Sequence, residues 1–161
     1  MIKRLMRRLP SDLLVRLYTA MPFKGIKNWI VYKAQDKFLV AVLGVITNES
    51  GQVLLLNHVY REEPWGIPGG WMELEAPEKG LKREIEEETG LSVEITGIYR
   101  AVYQKDPDRV ELIFRGKVRG GTFRPCAEIS DILYCEVGSW PTGLPDTQKS
   151  LIQEVLEKTS V

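Results

Sequence analysis

The stretch at residues 69–91 constrains this chain more than any other part of it, and it reads GGWMELEAPEKGLKREIEEETGL. Glu84, Glu87 and Glu88 lie there at offsets of zero, three and four, which places all three carboxylates on one side of a helix. Like charges at these offsets repel by roughly 0.2–0.5 kcal/mol per pair, so a cation should offset them. Carboxylates without Cys or His beside them favour Mg2+ or Mn2+ over Ca2+. We therefore expect the three carboxylates to converge on one point, where a divalent ion would bind.

The ends of this helix can be predicted from the residues that flank it. Pro77 suits the first turn, because its missing N–H needs no partner there, and either Glu75 or Ala76 would precede it. Gly90 is suited to a left-handed stop at the C-terminal end. A helix with these ends would bury one face, on which residues suited to a core recur every four positions: Leu81, Ile85 and Thr89.

A run of glutamates on a helix is most often a solvated face, but here it belongs to a longer pattern. The glycine pair, the Arg-Glu pair, the paired glutamates and the closing Gly-Leu resemble the signature of the Nudix hydrolase family. That signature reads G, five residues, E, seven residues, R-E-U, one residue, E-E, one residue, G-U, where U is aliphatic. The resemblance covers about residues 38–160 and implies an α/β (α+β) fold, the Nudix αβα sandwich with a mixed β-sheet.

One position departs from the family signature. Counted from Gly70, only four residues precede Glu75, where the family has five. In the family this glutamate mostly supports the loop and the arginine, so a short loop would affect Glu75 more than the metal site. Glu73 could fill the same space, and the sequence leaves the choice between Glu73 and Glu75 open.

The resemblance implies roles for the charged residues of the motif. Glu84, Glu87 and Glu88 would bind Mg2+, with Mn2+ as a substitute, together with the main-chain carbonyl of Gly69. Arg83 would orient the glutamates through ion pairs. Three glutamates are further candidates for catalytic roles. Glu87 or Glu128 could act as the general base, and Glu75 would support the loop.

The general base remains open between two carboxylates. Glu87 lies inside the motif, whereas Glu128 lies in a later loop ahead of a strand, where a surface carboxylate is equally common. Substrate contacts need rings that stack on a base or cations that meet a phosphate. Such side chains more often serve in core packing or lie on the surface. The candidates near the motif are Arg61, Trp65, Trp71 and Tyr103.

The family resemblance implies hydrolysis of a nucleoside diphosphate linked to another moiety. Pro107 follows Leu91 by sixteen residues, a spacing that resembles a proline of ADP-ribose and sugar-nucleotide pyrophosphatases, although any turn can contain it. ADP-ribose or a nucleoside diphosphate sugar, cleaved to a nucleoside monophosphate and a sugar phosphate, is therefore the leading expectation. The alternatives are a house-cleaning (d)NTP pyrophosphohydrolase and a catalytically silent Nudix domain that senses ligands or binds partners.

Charge divides the chain into two parts although its net charge is zero. Residues 1–33 hold eight lysines and arginines and one aspartate, a net charge of +7, which leaves −7 for the remainder. This asymmetry predicts a basic helical N-terminal extension at 1–37 and a Nudix hydrolase domain at 38–161. The extension carries leucines at helical spacing, with a break at residues 10–12 where a second helix begins: Leu5, Leu9, Leu13, Leu14 and Leu17.

We expect this extension to pack on the domain or on a partner subunit, as in a homodimer. Membrane association is possible but less favoured. A nucleotide is the expected partner, and no nucleic acid is expected. Two cysteines, Cys126 and Cys135, and the single His58 do not provide a zinc site or a disulfide framework. The two cysteines are expected to be reduced, and the chain is therefore expected to be cytoplasmic. It has no apolar run of about twenty residues, the length needed to span a bilayer.

Alternating and apolar runs predict the strands of the larger part. Two hairpins are expected where such runs flank turn residues, at 38–47 with 52–60 and at 93–104 with 110–120. A further strand is expected at 132–137. A final amphipathic helix follows, with Asp146 as its N-terminal cap.

Overall fold

The computed structural model describes residues 10–20 and 23–158, and these divide into two compact units, one up to residue 38 and one from residue 39 onward. The first unit contains the helices α1 (Ser11–Ala20) and α2 (Lys24–Ala34). The start of α1 after Pro10 is confirmed, and the leucines before Pro10 lie outside the described residues. Helix α2 was not predicted, because its apolar residues surround the axis instead of forming one stripe. The domain boundaries at 1–37 and 38–161 stay a prediction.

The described residues from 39 to 158 form a seven-stranded mixed sheet with two helices. The strand order is β3-β2-β1-β6-β5, with β4 also paired to β1 and β7 paired to β2. Only β1 and β6 run parallel among these pairs. The elements in chain order are β1 (Leu39–Thr47), β2 (Val53–His58), β3 (Trp65–Gly66), β4 (Gly69–Trp71), α3 (Pro77–Thr89), β5 (Leu91–Gln104), β6 (Arg109–Gly121), β7 (Ile129–Cys135) and α4 (Asp146–Glu157).

Strand β1 lies at the centre of the sheet and pairs with three other strands. On one edge it pairs with β6 over its whole length. On the other edge it meets β2 only at Thr47 opposite Val53, and β4 pairs with its middle, where Leu43 lies opposite Gly69. Both predicted hairpins, β1 with β2 and β5 with β6, are confirmed. After the first hairpin β1 and β2 separate, and the segment that leads to α3 fills the gap between them.

Two apolar cores cover the two faces of the sheet, because side chains alternate along each strand. On one face, Val42 and Leu54 pack in a cluster with Leu81 of α3. On the other face, Val45 and Leu55 pack in a cluster with α4, which contributes Ile152 and Val155. The αβα sandwich with a mixed sheet is therefore confirmed.

The start of α4 differs from the prediction. Asp146 was expected to cap this helix, but Pro145 occupies the N-cap position and no side chain caps the helix. Asp146 lies inside the first turn, where its Oδ1 accepts a hydrogen bond from Lys149 Nζ at 2.8 Å. A carboxylate in the first turn still interacts favourably with the helix dipole.

Both cysteines are free thiols, with Cys126 exposed and Cys135 buried. The Cys135 thiol donates to the carbonyl of Ser139 at 2.8 Å, and burial raises its pKa. Within the described ranges, the structure contains no helix of the length and apolar character that crossing a bilayer requires.

His58 makes the stability of this fold depend on pH. Its side chain is 1 % exposed, and neither ring nitrogen has a hydrogen-bond partner. Burial, with a smaller effect of the Arg61 cation, lowers the pKa of His58 from 6.5 to about 4. The unfolded chain therefore binds a proton at a higher pH than the folded chain does. Stability from neutral His58 is present above pH 6.5 and decreases as the pH falls toward about 4.

We expect the free energy of unfolding to fall by about 2 kcal/mol more in the wild type than in His58→Gln between pH 7 and pH 4.5. Urea denaturation of both proteins at a series of pH values measures this difference. The carboxylates are the same in both proteins, so they contribute equally to both profiles. Parallel profiles would show that His58 titrates normally in the folded state.

Candidate active site

Helix α3 has the ends that the sequence predicted. It begins at Pro77 after Ala76, and Gly90 ends it with a φ of 72°, in the left-handed region. The Gly90 N–H donates to the carbonyl of Glu86 at 2.8 Å. The predicted apolar face is fully buried: Leu81, Ile85 and Thr89. This anchored face holds the carboxylates of the opposite face at fixed positions along the sheet.

Arg83 is the cation that offsets the repulsion among these carboxylates. Its Nε lies 2.9 Å from Glu75 Oε1, and its Nη1 lies 3.0 Å from Glu84 Oε1 and 3.1 Å from Glu87 Oε2. These partners raise the pKa of Arg83 further above its usual value, and the hydrogen bond to Glu75 is the largest cause. One guanidinium thus joins the loop before α3 to two successive turns of the helix.

The choice that the sequence left open between Glu73 and Glu75 is decided by these contacts. The Glu75 side chain is 12 % exposed and accepts the hydrogen bond from Arg83, whereas Glu73 is exposed. Counted from Gly69, five residues precede Glu75, which is the spacing of the family signature. The loop is therefore not short, and the apparent departure came from counting from Gly70.

The two glycines bring the backbone of β4 against both β1 and α3. Gly69 has a φ of 150°, and a Cβ atom there would overlap the carbonyl oxygen of Val42. A Cβ atom on Gly70 would overlap the carboxylate of Glu84. Neither position accepts a larger residue without displacement of the strand or the glutamate. This close approach places the loop backbone beside the acidic face of α3.

A cavity of about 500 Å3 lies at this junction, and we call it the acidic cleft. Glu84 and Glu88 line it together with Glu128 and the backbone of Gly69 and Gly70. Part of the predicted acidic cluster is therefore present, and Glu128 from the later loop joins it. The sequence could indicate this residue only through its place in a loop ahead of β7.

Glu87 does not line the acidic cleft. Its side chain is 61 % exposed and is held by Arg83, and it borders a different depression near Gly90 and Arg124. In this structure Glu87 pairs with Arg83 outside the cleft, and the convergence of all three carboxylates of α3 on one ion stays a prediction. Among residues 10–20 and 23–158, no three acidic, cysteine or histidine side chains already form a metal-ligand cluster.

Glu88 is the most electrostatically perturbed carboxylate of the cleft. Its Oε2 is buried without a hydrogen-bond partner. Burial first, and then the charges of Glu84 and Glu128, raise the pKa of Glu88 to about 7. Burial also raises the pKa of Glu84, and its partner Arg83 opposes this shift. A buried carboxylate oxygen without a partner, in a cleft with only oxygen ligands, fits a bound divalent cation.

The predicted substrate contacts divide into two groups. Arg61 and Trp71 line the acidic cleft, and Trp71 is half exposed. Trp65 instead packs against the core cluster that contains α4, and the Tyr103 hydroxyl donates to Asp108 at the turn between β5 and β6. Trp65 and Tyr103 line neither the acidic cleft nor the cavity beside it. Packing and turn contacts account for both side chains.

Sequence reasoning missed an ion pair in the cleft. Arg109 Nε lies 2.7 Å from Glu111 Oε1, and both side chains are largely buried. The pair lines the acidic cleft and also a second cavity of about 590 Å3, which extends to Gln148 of α4. The signal was present at the start of β6, where the charged Arg109 and Glu111 alternate with the apolar Val110 and Leu112.

We expect Glu75→Gln to lower the free energy of unfolding by about 1 kcal/mol, because it weakens a largely buried, charge-assisted hydrogen bond to Arg83. Glu73→Gln is the matched control in the same loop and should change stability by less than about 0.5 kcal/mol. Chemical denaturation of the two variants measures the contrast. Equal effects would mean that Arg83 does not depend on Glu75.

Comparisons with known proteins agree with this geometry. The family model for the NUDIX domain matches residues 37–155. A MutT-like protein of Streptomyces ambofaciens is 37 % identical over 120 residues, which cover 72 % of this chain and 70 % of that protein. A UDP-X diphosphatase structure has a TM-score of 0.68 at 23 % identity, covering 92 % of this chain and 79 % of that chain. The structure of an ADP-ribose pyrophosphatase from Streptococcus suis has a TM-score of 0.66 at 20 % identity, and the match covers 78 % of this chain and 94 % of that chain. The chain therefore belongs to the Nudix family and is a pyrophosphohydrolase that acts on phosphoric anhydrides.

Proposed function

We propose that this enzyme hydrolyses, with Mg2+, the pyrophosphate bond of ADP-ribose or of a nucleoside diphosphate sugar. The products are a nucleoside monophosphate and a sugar phosphate. The observation that carries this proposal is the shape of the site, because the acidic cleft and the second cavity share Leu43, Arg61, Arg109 and Glu111. A pyrophosphate in the acidic cleft would have room beside it for a further group. The relatives whose names include UDP-X and ADP-ribose support the same class of substrate.

The metal ligands that we propose are Glu84, Glu88 and the carbonyl of Gly69, with Glu87 as the ligand that the motif adds. The unpartnered Oε2 of Glu88 and the all-oxygen donor set fit Mg2+, with Mn2+ as a substitute. A bound divalent ion would screen the charge of the diphosphate and lower the pKa of a bound water. Nucleotides of this class suit the cytoplasm, which we propose as the location.

The residues of the chain would orient and discriminate the substrate. Arg61 and Arg109 line the cleft and would meet phosphate oxygens, while Trp71 offers a half-exposed ring at its rim. Arg83 would keep its partners on α3 in place without touching the substrate, because its guanidinium already contacts three carboxylates. The largely buried pair of Arg109 and Glu111 would border the group beyond the pyrophosphate.

We propose Glu128 as the general base in preference to Glu87. Glu128 lines the acidic cleft, and its charge raises the pKa values of both Glu84 and Glu88. Glu87 lies outside the cleft and is paired with Arg83. A base must come within hydrogen-bond reach of the attacking water, directly or through one other water, so a carboxylate that faces the cleft suits this role better.

We expect Glu84→Gln and Glu88→Gln each to lower kcat/KM by about 100-fold or more, because each change removes a ligand charge. Glu86→Gln is the matched control on the exposed side of the same helix and should retain activity. Hydrolysis assays with Mg2+ and with excess chelator measure these effects. Far-UV circular dichroism checks that each variant keeps the fold.

The melting temperature provides a second measurement that does not depend on turnover. Mg2+ should raise the melting temperature of the wild type and of Glu86→Gln, since a ligand that binds only the folded state stabilises it. It should raise those of Glu84→Gln and Glu88→Gln much less. Wild-type turnover in either of these two variants, or in excess chelator, would contradict the metal site.

The identity of the base is tested by Glu128→Gln, for which we expect kcat to fall by about 100-fold with little change in the Mg2+ concentration that supports half-maximal rate. Asp131→Asn, an exposed carboxylate of the neighbouring strand, should have no such effect. Steady-state kinetics over a range of Mg2+ concentrations give both values. A fall of less than about threefold for Glu128→Gln would transfer the role to Glu87.

The substrate class is tested by the products formed from a panel of nucleotides. Nucleoside monophosphate and sugar phosphate from ADP-ribose or a UDP-sugar would support the proposal. The alternative, hydrolysis of nucleoside triphosphates, would instead give inorganic pyrophosphate or phosphate as the product. Binding of nucleotides without any turnover would instead indicate a silent ligand-sensing domain.

A further inference from the structure

The N-terminal unit exposes an unusual amount of apolar surface for its size. Along α2, four large apolar side chains at three-residue spacing are each at least 49 % exposed. A soluble protein seldom exposes neighbouring residues of this kind without a binding partner for them. We call this set the aromatic surface, and its members are Phe23, Ile26, Trp29 and Tyr32.

Positive charge lies among these apolar side chains. Lys24, Lys27 and Lys33 belong to the same helix, and Lys37 follows it. The ammonium of Lys27 lies 5.0 Å from the ring centre of Tyr18, and that of Lys37 lies 4.0 Å from the ring centre of Tyr32. Basic side chains are therefore interspersed with the apolar ones, and residues 1–33 as a whole carry a net charge of +7.

A partner for this surface must accept both positive charge and apolar side chains, and two classes of partner can be compared: a second copy of the unit and a lipid bilayer. A second copy of this unit would bring two net charges of +7 together, which opposes association through this surface. A lipid bilayer with anionic headgroups offers what the surface needs, because negative charge lies directly above an apolar layer. Lysine side chains can extend their charged ends to headgroups while their stems cover apolar surface, and tryptophan and tyrosine favour that interface.

We propose that the N-terminal unit binds the surface of an anionic lipid bilayer through the aromatic surface. Helix α2 has eleven residues, so it would lie in the interface and would not cross the bilayer. This inference is independent of the substrate and of the reaction. Packing of the extension on the domain or on a partner subunit stays a prediction.

The test is a flotation assay of the full chain with phosphatidylcholine vesicles, with and without phosphatidylglycerol. We expect binding only when phosphatidylglycerol is present and a loss of binding at high salt, because exposed charges are screened. Lys24→Glu/Lys27→Glu/Lys33→Glu should weaken binding by about 100-fold, since each basic residue contributes about a factor of five. Ile26→Asp/Trp29→Asp should also lose binding.

Matched controls come from the other unit. Ile98 is as exposed as Ile26, and Lys117 is exposed like Lys24 and Lys33, so Ile98→Asp and Lys117→Glu should bind vesicles as the wild type does. All variants should retain hydrolytic activity in solution. A wild type that does not float with phosphatidylglycerol vesicles at low salt would overturn the proposal. Equal binding by Ile26→Asp/Trp29→Asp would also overturn it, as would a dimer in solution that this variant alone dissociates.

Discussion

The contact on which the site depends is the ion pairing of one guanidinium with three carboxylates. Arg83 holds Glu75 from the loop, and Glu84 and Glu87 from successive turns of α3. Without a cation there, the like charges of the helix would repel one another and the loop would lose its attachment. Arg83 also links the cleft to the exposed side of the helix, because its Nη1 contacts both Glu84, which lines the cleft, and Glu87, which does not. Charge neutralisation and the geometry of the site are therefore produced by the same side chain.

The parts of the structure that local chemistry determines could be predicted from the sequence. The ends of α3 follow from Pro77 and Gly90, and the hairpins follow from turn residues between alternating runs. The direction of each candidate side chain could not be predicted in this way. Tyr103 and Trp65 contact a turn and a core, respectively, because strand register and packing decide which way each ring faces. The position of the Glu87 side chain could not be predicted either, because it depends on the ion pair with Arg83.

Glu88 is the residue of the cleft whose burial is least favourable for folding, and this burial indicates what the cleft binds. Glu88 is buried with an oxygen that lacks a partner, and its pKa is about 7. Such a carboxylate opposes folding when it is ionised and contributes nothing to the core. A sequence selected for stability alone would replace it. Its presence beside Glu84 and Glu128 is best accounted for by a cation that completes its interactions, which is the basis of the proposed metal site.

The insertion of β4 beside β1 has a consequence for how such an enzyme can change its substrate. The residues that lead into α3 are hydrogen-bonded into the sheet, and Gly69 and Gly70 have no room for side chains. Substitution on this side of the cleft would disturb the architecture together with the chemistry. The opposite side is formed by side chains such as Arg109 and Glu111, whose replacement leaves the backbone pairing of β6 intact. Divergence among relatives can therefore proceed on one wall of the cleft while the other wall stays the same.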